Sequence, residues 1–221
     1  MDTVDPMTDS PDAPVVEEES PHEGGFRAHS AVTTDRGGPR YAELNEQVRL
    51  LMDRFRYANP TAEMGDEIID ALTAINARLG DVRIDEWHAP SGTRIDLPAR
   101  GNITLPPFEV TRADADGIEA LVTFRDFHLG GNNAVHGGHV AVAFDDLGGY
   151  ASALAIESIS RTAYLTVQYR SLTPLNTPLI IRTWAESVDG RKVFIKGTLH
   201  DGERLCAEMD ALFIKLNPGQ P

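Results

Sequence analysis

One carboxylate and one glycine-rich turn are the parts of this sequence best suited to chemistry. Asp145 follows the run His136-Gly137-Gly138, with six residues in between. Backbone N–H groups in the first turn of a helix have no intrahelical partners, and glycine lets a carbonyl oxygen approach them, as in an oxyanion hole. A carboxylate can act as a general base or as a nucleophile. The pattern favours acyl-group chemistry, although the same residues could be a structural turn and a solvated acid.

A long helix must position both groups, because a helical pattern runs from about Gly137 to Ile156. One stripe of this helix is apolar, and we expect a sheet to cover it: Val140, Phe144, Leu147, Ala151 and Leu154. A second stripe is made of small residues around one carboxylate: Gly138, Ala141, Asp145, Gly148 and Ser152. Small side chains would let another backbone or a ligand come close to Asp145.

Two neighbouring features of this helix have simpler interpretations. Asp146 points about 100° away from Asp145 and is predicted to be an ordinary surface acid. His136 and His139 stand three residues apart, but no second histidine or cysteine cluster completes a coordination sphere. No metal site is therefore predicted.

Extended segments precede and follow the helix. Before it the predicted strands are Phe108–Thr111 and Ala120–Phe124, and after it Ala163–Tyr169, Leu179–Val188, Lys192–His200 and Leu205–Leu216. Asp189-Gly190 and Asp201-Gly202 are strong hairpin-turn signals. One long helix followed by an antiparallel meander predicts an α+β domain in which a curved sheet wraps over the helix.

The N-terminal half has two different parts. Residues 1–40 contain nine acidic and three basic residues and only one aromatic residue, which predicts a disordered acidic tail. Residues 41–107 are predicted to form a helical extension and linker, with one helix beginning at Tyr41 and another running from Thr61 to Leu79, capped by Gly80. Residues 108–221 form the predicted α+β domain.

Composition restricts the possible functions. The net charge of −14 argues against a protein that tracks nucleic-acid phosphates, which needs a basic face. Cys206 is the only cysteine, so no intrachain disulfide can form, which fits a reducing compartment. The sequence shows neither a signal-peptide pattern nor an apolar run long enough to span a bilayer. We expect a cytoplasmic protein without a membrane span.

These motifs resemble a known family. His136-Gly137-Gly138 with Asp145 is similar to the His-Gly-Gly…Asp signature of hotdog-fold acyl-CoA thioesterases, in the phenylacetyl-CoA thioesterase-like branch. The segments 162–169, 174–175, 189–192 and 212–218 are similar to members of that superfamily that act on fatty acyl-CoAs. The resemblance covers roughly residues 108–218.

The resemblance implies a double hotdog, in which two chains pair about a twofold axis and the active sites lie at the subunit interface. The amide of Gly137 would bind the thioester carbonyl, His136 would orient that turn, and Thr162 would position water or the intermediate. Asp145 would be the general base or nucleophile. No cofactor is implied, since CoA is part of the substrate.

Further substrate contacts are predicted around this turn and at one hairpin. Gly138, Asn132 and Asn133 would line the carbonyl-binding loop, and Arg191 and Lys192 follow a tight turn from which they could meet CoA phosphates. Many relatives have asparagine where this chain has Gly130 and glycine where it has Asn133. Asparagine tolerates the left-handed conformation better than most residues.

Helix geometry independently calls for a second chain. Gly137 and Asp145 are eight residues apart, or about 12 Å along the helix axis at 1.5 Å per residue. A base must lie within about 3 Å of its target or reach it through one water. Asp145 therefore cannot serve a carbonyl held at its own helix start, whereas an antiparallel helix from a second copy would bring the two groups together.

The sequence thus predicts an acyl-CoA thioesterase that hydrolyses medium- or long-chain substrates and works as a homodimer or a dimer of dimers. One alternative is a hotdog hydratase or dehydratase acting on an enoyl or β-hydroxyacyl thioester. A histidine would then have to reach the substrate directly, whereas His136 abuts the carbonyl-binding turn. The other alternative is a non-catalytic acyl-CoA-binding module, which would need no carboxylate.

Overall fold

The computed structural model describes residues 32–85, 88–217 and 220. Most of the predicted disordered tail, residues 1–31, lies outside this part of the chain. Residues 32–40, which were assigned to the same tail, instead contact the segment before the sheet. The amide of Thr33 donates to the carbonyl of Thr93 at 3.0 Å, and Nη1 of Arg94 donates to the carbonyl of Arg36 at 2.7 Å.

The secondary structure follows the predicted order, but most strands are longer than predicted and two short strands before the last helix were not predicted. The helices are α1 (Tyr41–Tyr57), α2 (Ala62–Gly80) and α3 (Gly137–Ile156). The strands are β1 (Phe108–Asp114), β2 (Gly117–Thr123), β3 (Leu129–Gly131), β4 (Ala134–Val135), β5 (Ser160–Tyr169), β6 (Pro178–Asp189), β7 (Lys192–Asp201) and β8 (Arg204–Lys215). Two short 3-10 turns cover Pro98–Gly101 and Asp126–His128.

Six strands form one antiparallel sheet that wraps over α3. Their order is β1-β2-β6-β7-β8-β5, so β5 is an edge strand that pairs only with β8 within the described chain. β3 and β4 form a separate small hairpin before α3. The predicted Asp189-Gly190 and Asp201-Gly202 hairpins are confirmed, because Gly190 and Gly202 have φ of 57° and 58°. The α+β hotdog arrangement is therefore confirmed.

The apolar stripe of α3 packs into the core as predicted, except at its end. Val140, Phe144, Leu147 and Ala151 are buried against the sheet. Leu154 is 40% exposed, and Ala153 takes the buried position there instead.

The small-residue stripe of α3 is more closely packed than expected. A Cβ atom on Gly148 would lie 3.2 Å from the Phe213 ring, so β8 of the same chain already occupies this space. Ser152 is buried, and its hydroxyl is 2.8 Å from that of Ser160 on β5. Only the first half of the stripe, around Asp145, remains open for approach by another group.

Neither α1 nor α2 has a fully buried apolar residue, unlike an ordinary amphipathic helix. The buried residues of α1 are polar, Asn45 and Arg49, whereas Leu44 and Phe55 are 50% and 68% exposed. No residue of α2 is buried, and Gly80, predicted as its cap, is its last helical residue. None of the helices in the described ranges has the length and apolarity that a bilayer span requires.

Asp146 is not the surface acid that the sequence suggested. It accepts two hydrogen bonds from the Arg100 guanidinium, at 2.8 and 2.9 Å, and both side chains are less than a quarter exposed. The same guanidinium lies over the rings of Phe108 and Tyr150. This bidentate pair fastens the segment before β1 to the outer face of α3.

We expect Asp146→Asn to destabilise the protein, because it leaves the Arg100 guanidinium without its charged partner. Breaking such a part-buried pair costs about 1–3 kcal/mol of unfolding free energy. Urea unfolding of the variant and the wild type would measure the difference, while kcat per folded molecule should stay unchanged. Equal unfolding free energies would contradict this role for the pair.

Candidate active site

The first turn of α3 is capped by its own histidine. His136 is the N-cap residue, and its Nδ1 accepts a hydrogen bond from the Gly138 amide at 3.0 Å. Because Nδ1 is an acceptor here, the neutral ring carries its proton on Nε2. The amide of Gly137 has no hydrogen-bond acceptor among the described residues. His136 thus fixes the turn and leaves one amide at the helix start for a ligand oxygen.

Tyr169, the last residue of β5, contacts this turn, although nothing in the sequence pointed to that contact. Its hydroxyl donates to the Gly137 carbonyl at 2.8 Å. A Cβ atom at position 137 would lie 2.8 Å from the Tyr169 ring, so any side chain there would push the ring or the turn aside. A side chain at this position would therefore disturb the hydrogen bond between Tyr169 and the turn.

Asp145 and Thr162 are in direct contact. The Thr162 hydroxyl donates to Oδ1 of Asp145 at 2.7 Å, joining α3 to the edge strand β5. Both residues are exposed in the single chain. Thr162 lies beside a bulge in the pairing of β5 with β8. The contact orients the carboxylate and leaves Oδ2 without a partner among the side chains described.

The two halves of the candidate site do not meet within one chain. Gly137 is the first residue of α3 and Asp145 is eight residues further along the same continuous helix. At 1.5 Å per residue the axial separation is about 12 Å. A carbonyl held by the Gly137 amide is thus out of reach of the same chain's carboxylate.

The loop before the helix adopts the conformation that its asparagines suggested. Asn132 and Asn133 have φ of 48° and 59°, in the left-handed region, and form the exposed turn between β3 and β4. Gly130 fits against the next element, because a Cβ atom there would lie 2.7 Å from the His136 Cα. An asparagine at position 130 would therefore clash with the present backbone.

Of the two basic residues at the β6–β7 hairpin, only one has a side chain that is free to contact a ligand. Nη1 of Arg191 donates to the Lys215 carbonyl at 3.3 Å and to Oε1 of Gln220 at 3.2 Å. Arg191 therefore holds the end of β8. Lys192 begins β7, is exposed and has no ion-pair partner among the described residues.

Behind the helix start lies a row of imidazole rings that the sequence did not reveal. His128 is fully buried, and its Nδ1 accepts the Arg125 amide at 2.8 Å. Its ring is 4.7 Å from that of His139, which is 6.0 Å from that of His136. The part of the chain that the structure describes contains no cluster suited to a metal ion.

Burial keeps His128 uncharged. It lowers the pKa of His128 to about 3, well below the ordinary 6.5, and the neighbouring His139 adds to the effect. Between pH 6.5 and about 3, the unfolded chain therefore binds a proton at His128 that the folded chain does not bind. Stability from this residue is complete above pH 6.5 and is lost as the pH falls from 6.5 towards 3.

We expect the unfolding free energy to fall by about 1.4 kcal/mol per pH unit on account of His128 below its unfolded pKa. His139 adds to the slope, because burial lowers its pKa as well. His128→Gln keeps an acceptor for the Arg125 amide but cannot titrate. The unfolding free energy of this variant should therefore depend less steeply on pH, by the contribution of one bound proton. Urea unfolding from about pH 7 to about pH 5 tests this, and equal slopes would contradict it.

A cavity of about 480 Å³ lies beside the outer face of α3. Apolar side chains from the segment before β1, from β1 and from α3 form much of its wall: Ile95, Leu97, Phe108, Val110 and Tyr150. The Arg100 that binds Asp146 lines it as well. The cavity has the size of a small-molecule pocket.

Comparison with known proteins agrees with this geometry. Residues 132–208 match the family model described as the thioesterase superfamily. Acyl-coenzyme A thioesterase THEM4 of Mus musculus is 34% identical over 89 residues, and that of Xenopus laevis 41% over 85 residues. These matches cover 39% and 38% of this chain, and the chain spans only 38% of the length of either relative.

One solved structure resembles nearly the whole described chain. The crystal structure of a thioesterase superfamily protein superposes with a TM-score of 0.70 at 21% identity, covering 83% of this chain and 98% of the other. At that identity the likeness concerns the fold. The chain therefore shares its fold with that solved structure, and its residues 132–208, which contain α3, match the thioesterase superfamily model.

Proposed function

We propose that this protein hydrolyses acyl-CoA thioesters, releasing CoA and a free acid, and that its substrates have medium- or long-chain acyl groups. The observation that carries the proposal is the Asp145 carboxylate, held by Thr162 on an open helix face. A capped glycine turn that presents the Gly137 amide supplies the second requirement of acyl transfer, an oxyanion site. The matched thioesterases support the substrate class.

The active enzyme is proposed to be a homodimer, or a dimer of dimers, with each site shared between two chains. β5 is an edge strand along which a second β5 could pair antiparallel about a twofold axis. Its Tyr164 is 50% exposed, as is expected of a surface that another chain covers. This pairing would place α3 beside its symmetry mate and bring Asp145 of one chain to the helix start of the other.

In such a site the chemistry follows from the two groups. The thioester carbonyl accepts a hydrogen bond from the Gly137 amide of one chain, and the developing oxyanion is stabilised there. Asp145 of the other chain either takes a proton from an attacking water or attacks the carbonyl carbon itself, forming an anhydride that water then cleaves. In both routes the C–S bond breaks, and the CoA sulfur leaves as thiolate and is protonated.

The remaining residues are proposed to bind rather than react. His136 holds the turn through its contact with Gly138, and its Nδ1 is therefore unavailable as a base. Asn132 and Asn133 shape the loop in front of that turn. Lys192 is the better candidate for a CoA phosphate, because Arg191 already binds the end of β8.

Chain length is the finer part of the proposal. The apolar wall of the 480 Å³ cavity, to which α3 contributes Tyr150, is suited to an alkyl chain. Burying each methylene of an acyl tail contributes about 0.8 kcal/mol. Medium and long acyl groups should therefore bind more tightly than acetyl.

Thiol release from acyl-CoAs of increasing chain length tests the function. We expect turnover with medium- or long-chain substrates, little with acetyl-CoA, and none above background with Asp145→Asn. Tight binding of every acyl-CoA without release of free thiol would contradict the proposal. So would hydration of crotonyl-CoA in the absence of thiol release.

A further inference from the structure

Helix α1 forms ion pairs with a single arginine that lies close to the candidate site in sequence. Arg125, immediately before the 3-10 turn Asp126–His128, donates from Nε to Oδ2 of Asp53 at 2.7 Å. Its Nη1 donates to both carboxylate oxygens of Glu46, at 2.8 and 2.9 Å. Only 18% of the Arg125 side chain and 13% of the Asp53 side chain is exposed. Two acids from α1 thus enclose one guanidinium.

Asp53 also binds the backbone of that turn directly. Its Oδ1 accepts a hydrogen bond from the Phe127 amide at 3.3 Å, while Oδ2 binds Arg125. One carboxylate therefore fixes both a side chain and a main-chain group that lie more than seventy residues away in sequence. Such a contact sets the position of the 3-10 turn relative to α1.

From the 3-10 turn, two hydrogen bonds lead to the start of α3. The His128 ring accepts the Arg125 amide, so it is locked to the residue that α1 holds. The His128 carbonyl accepts the His136 amide at 2.8 Å. His136 in turn caps Gly138, and so fixes the turn that presents Gly137. An unbroken series of contacts thus connects α1 to the candidate oxyanion site.

The burial pattern of α1 fits this role. The face of α1 that is covered carries Asn45 and Arg49, and Arg49 donates to the Asn102 carbonyl at 3.1 Å. Helices that merely add to a core bury an apolar stripe. In α1 the apolar Leu44 and Phe55 are exposed and the polar groups are inside. The contacts that hold α1 therefore include hydrogen bonds and ion pairs from Glu46, Arg49 and Asp53.

We propose that Asp53 and Glu46 are positioning residues that set the geometry of the Gly137 turn through Arg125, His128 and His136. The proposal rests on the proposed function only for its kinetic consequence. Helix α1 then helps to set the active-site geometry. Weakening its contacts with Arg125 should lower kcat more than it raises KM. A displacement of about 1 Å at reacting groups can cost roughly a hundredfold in rate.

The test compares Asp53→Asn with Glu43→Gln. Glu43 is also an acid on α1, but it pairs with Arg40 at the surface and does not contact the 3-10 turn. In protein labelled with ¹⁵N at glycine and histidine, we expect Asp53→Asn to shift the Gly137 and Gly138 amide signals and the His136 ring nitrogens. Glu43→Gln should leave all of them in place. This measurement does not depend on any substrate.

The kinetic measurement uses the same variants with the acyl-CoA turned over fastest. We expect Asp53→Asn to lower kcat by roughly tenfold to a hundredfold with KM within about twofold, and Glu43→Gln to change neither. If Asp53→Asn does not fold, Glu46→Gln, which weakens one of the two contacts, should give smaller changes of the same kind. Unchanged Gly137, Gly138 and His136 signals in a folded variant would overturn the proposal, even for a wild type that hydrolyses no acyl-CoA.

Discussion

Asp145→Asn should lower kcat by roughly 10²–10⁴-fold while the protein stays folded. The amide can neither accept a proton from water nor attack a carbonyl carbon. Its oxygen can still accept the hydrogen bond from Thr162, so the contact between α3 and β5 is kept. Thiol release gives the rate, and a thermal melt shows that the fold is unchanged.

The matched control for this variant is Asp116→Asn. Asp116 is an exposed acid in the β1–β2 turn, and its replacement changes the net charge by the same amount. We expect wild-type kinetics from it. Asp146→Asn is a poorer control, because Asp146 binds Arg100 and its loss should affect stability. Full activity in Asp145→Asn would remove the carboxylate from the mechanism.

Preventing dimer formation should abolish activity in a chain that still folds. Asp145 lies about 12 Å along the helix axis from the Gly137 amide, which is proposed to bind the carbonyl, so one copy alone could not complete the proposed site. Tyr164→Glu places a charge at a half-exposed position on the edge strand β5, where two copies would meet. A like charge brought close to itself across a twofold axis is unfavourable.

Sedimentation velocity would establish whether Tyr164→Glu is a monomer, and circular dichroism whether it is folded. The proposal predicts a folded monomer with turnover near background. Val188→Glu serves as the control, since Val188 is also half-exposed but lies near the end of β6, away from the proposed β5 interface. A verified Tyr164→Glu monomer with full activity would contradict the shared site.

The helix that carries the site could be predicted closely from the sequence. Its glycine-rich start and the apolar spacing of Val140, Phe144 and Leu147 define α3, and the structure gives it the predicted bounds. The glycines of the two hairpins predicted that β6, β7 and β8 pair in succession, because local chemistry dictates local conformation. The family resemblance implied that Thr162 positions water or the intermediate, and the contact that the structure shows for its hydroxyl is with Asp145.

Contacts between distant segments were the features that the sequence could not supply. Asp146 was interpreted as a surface acid because nothing near it in sequence suggests that Arg100 reaches it. Gly148 was interpreted as leaving room for a second chain, whereas Phe213 from β8 fills that room. In both cases the periodicity gave the correct helix face and said nothing about what covers it.

The same limit applies to the groups around the carbonyl-binding turn. Tyr169 contacts Gly137 across 32 residues, and Arg125 meets Asp53 across 72. The sequence predicted only that a helix begins at Tyr41, whereas in the structure the fully buried residues of that helix are polar. A clue was present in the acids Glu46 and Asp53 on one side of α1, but their partner could not be identified without the fold.

A mixed dimer tests most directly whether two chains share each site. One chain carries Asp145→Asn, and the other carries Gly137→Ala, whose Cβ would collide with Tyr169 and displace the turn. With two different affinity tags the mixed dimer can be purified away from both parents. Shared sites leave one intact site in each mixed dimer, so about half of wild-type activity should return although each parent is inactive. A mixed dimer as inactive as its parents would show that the carboxylate and the turn must belong to the same chain.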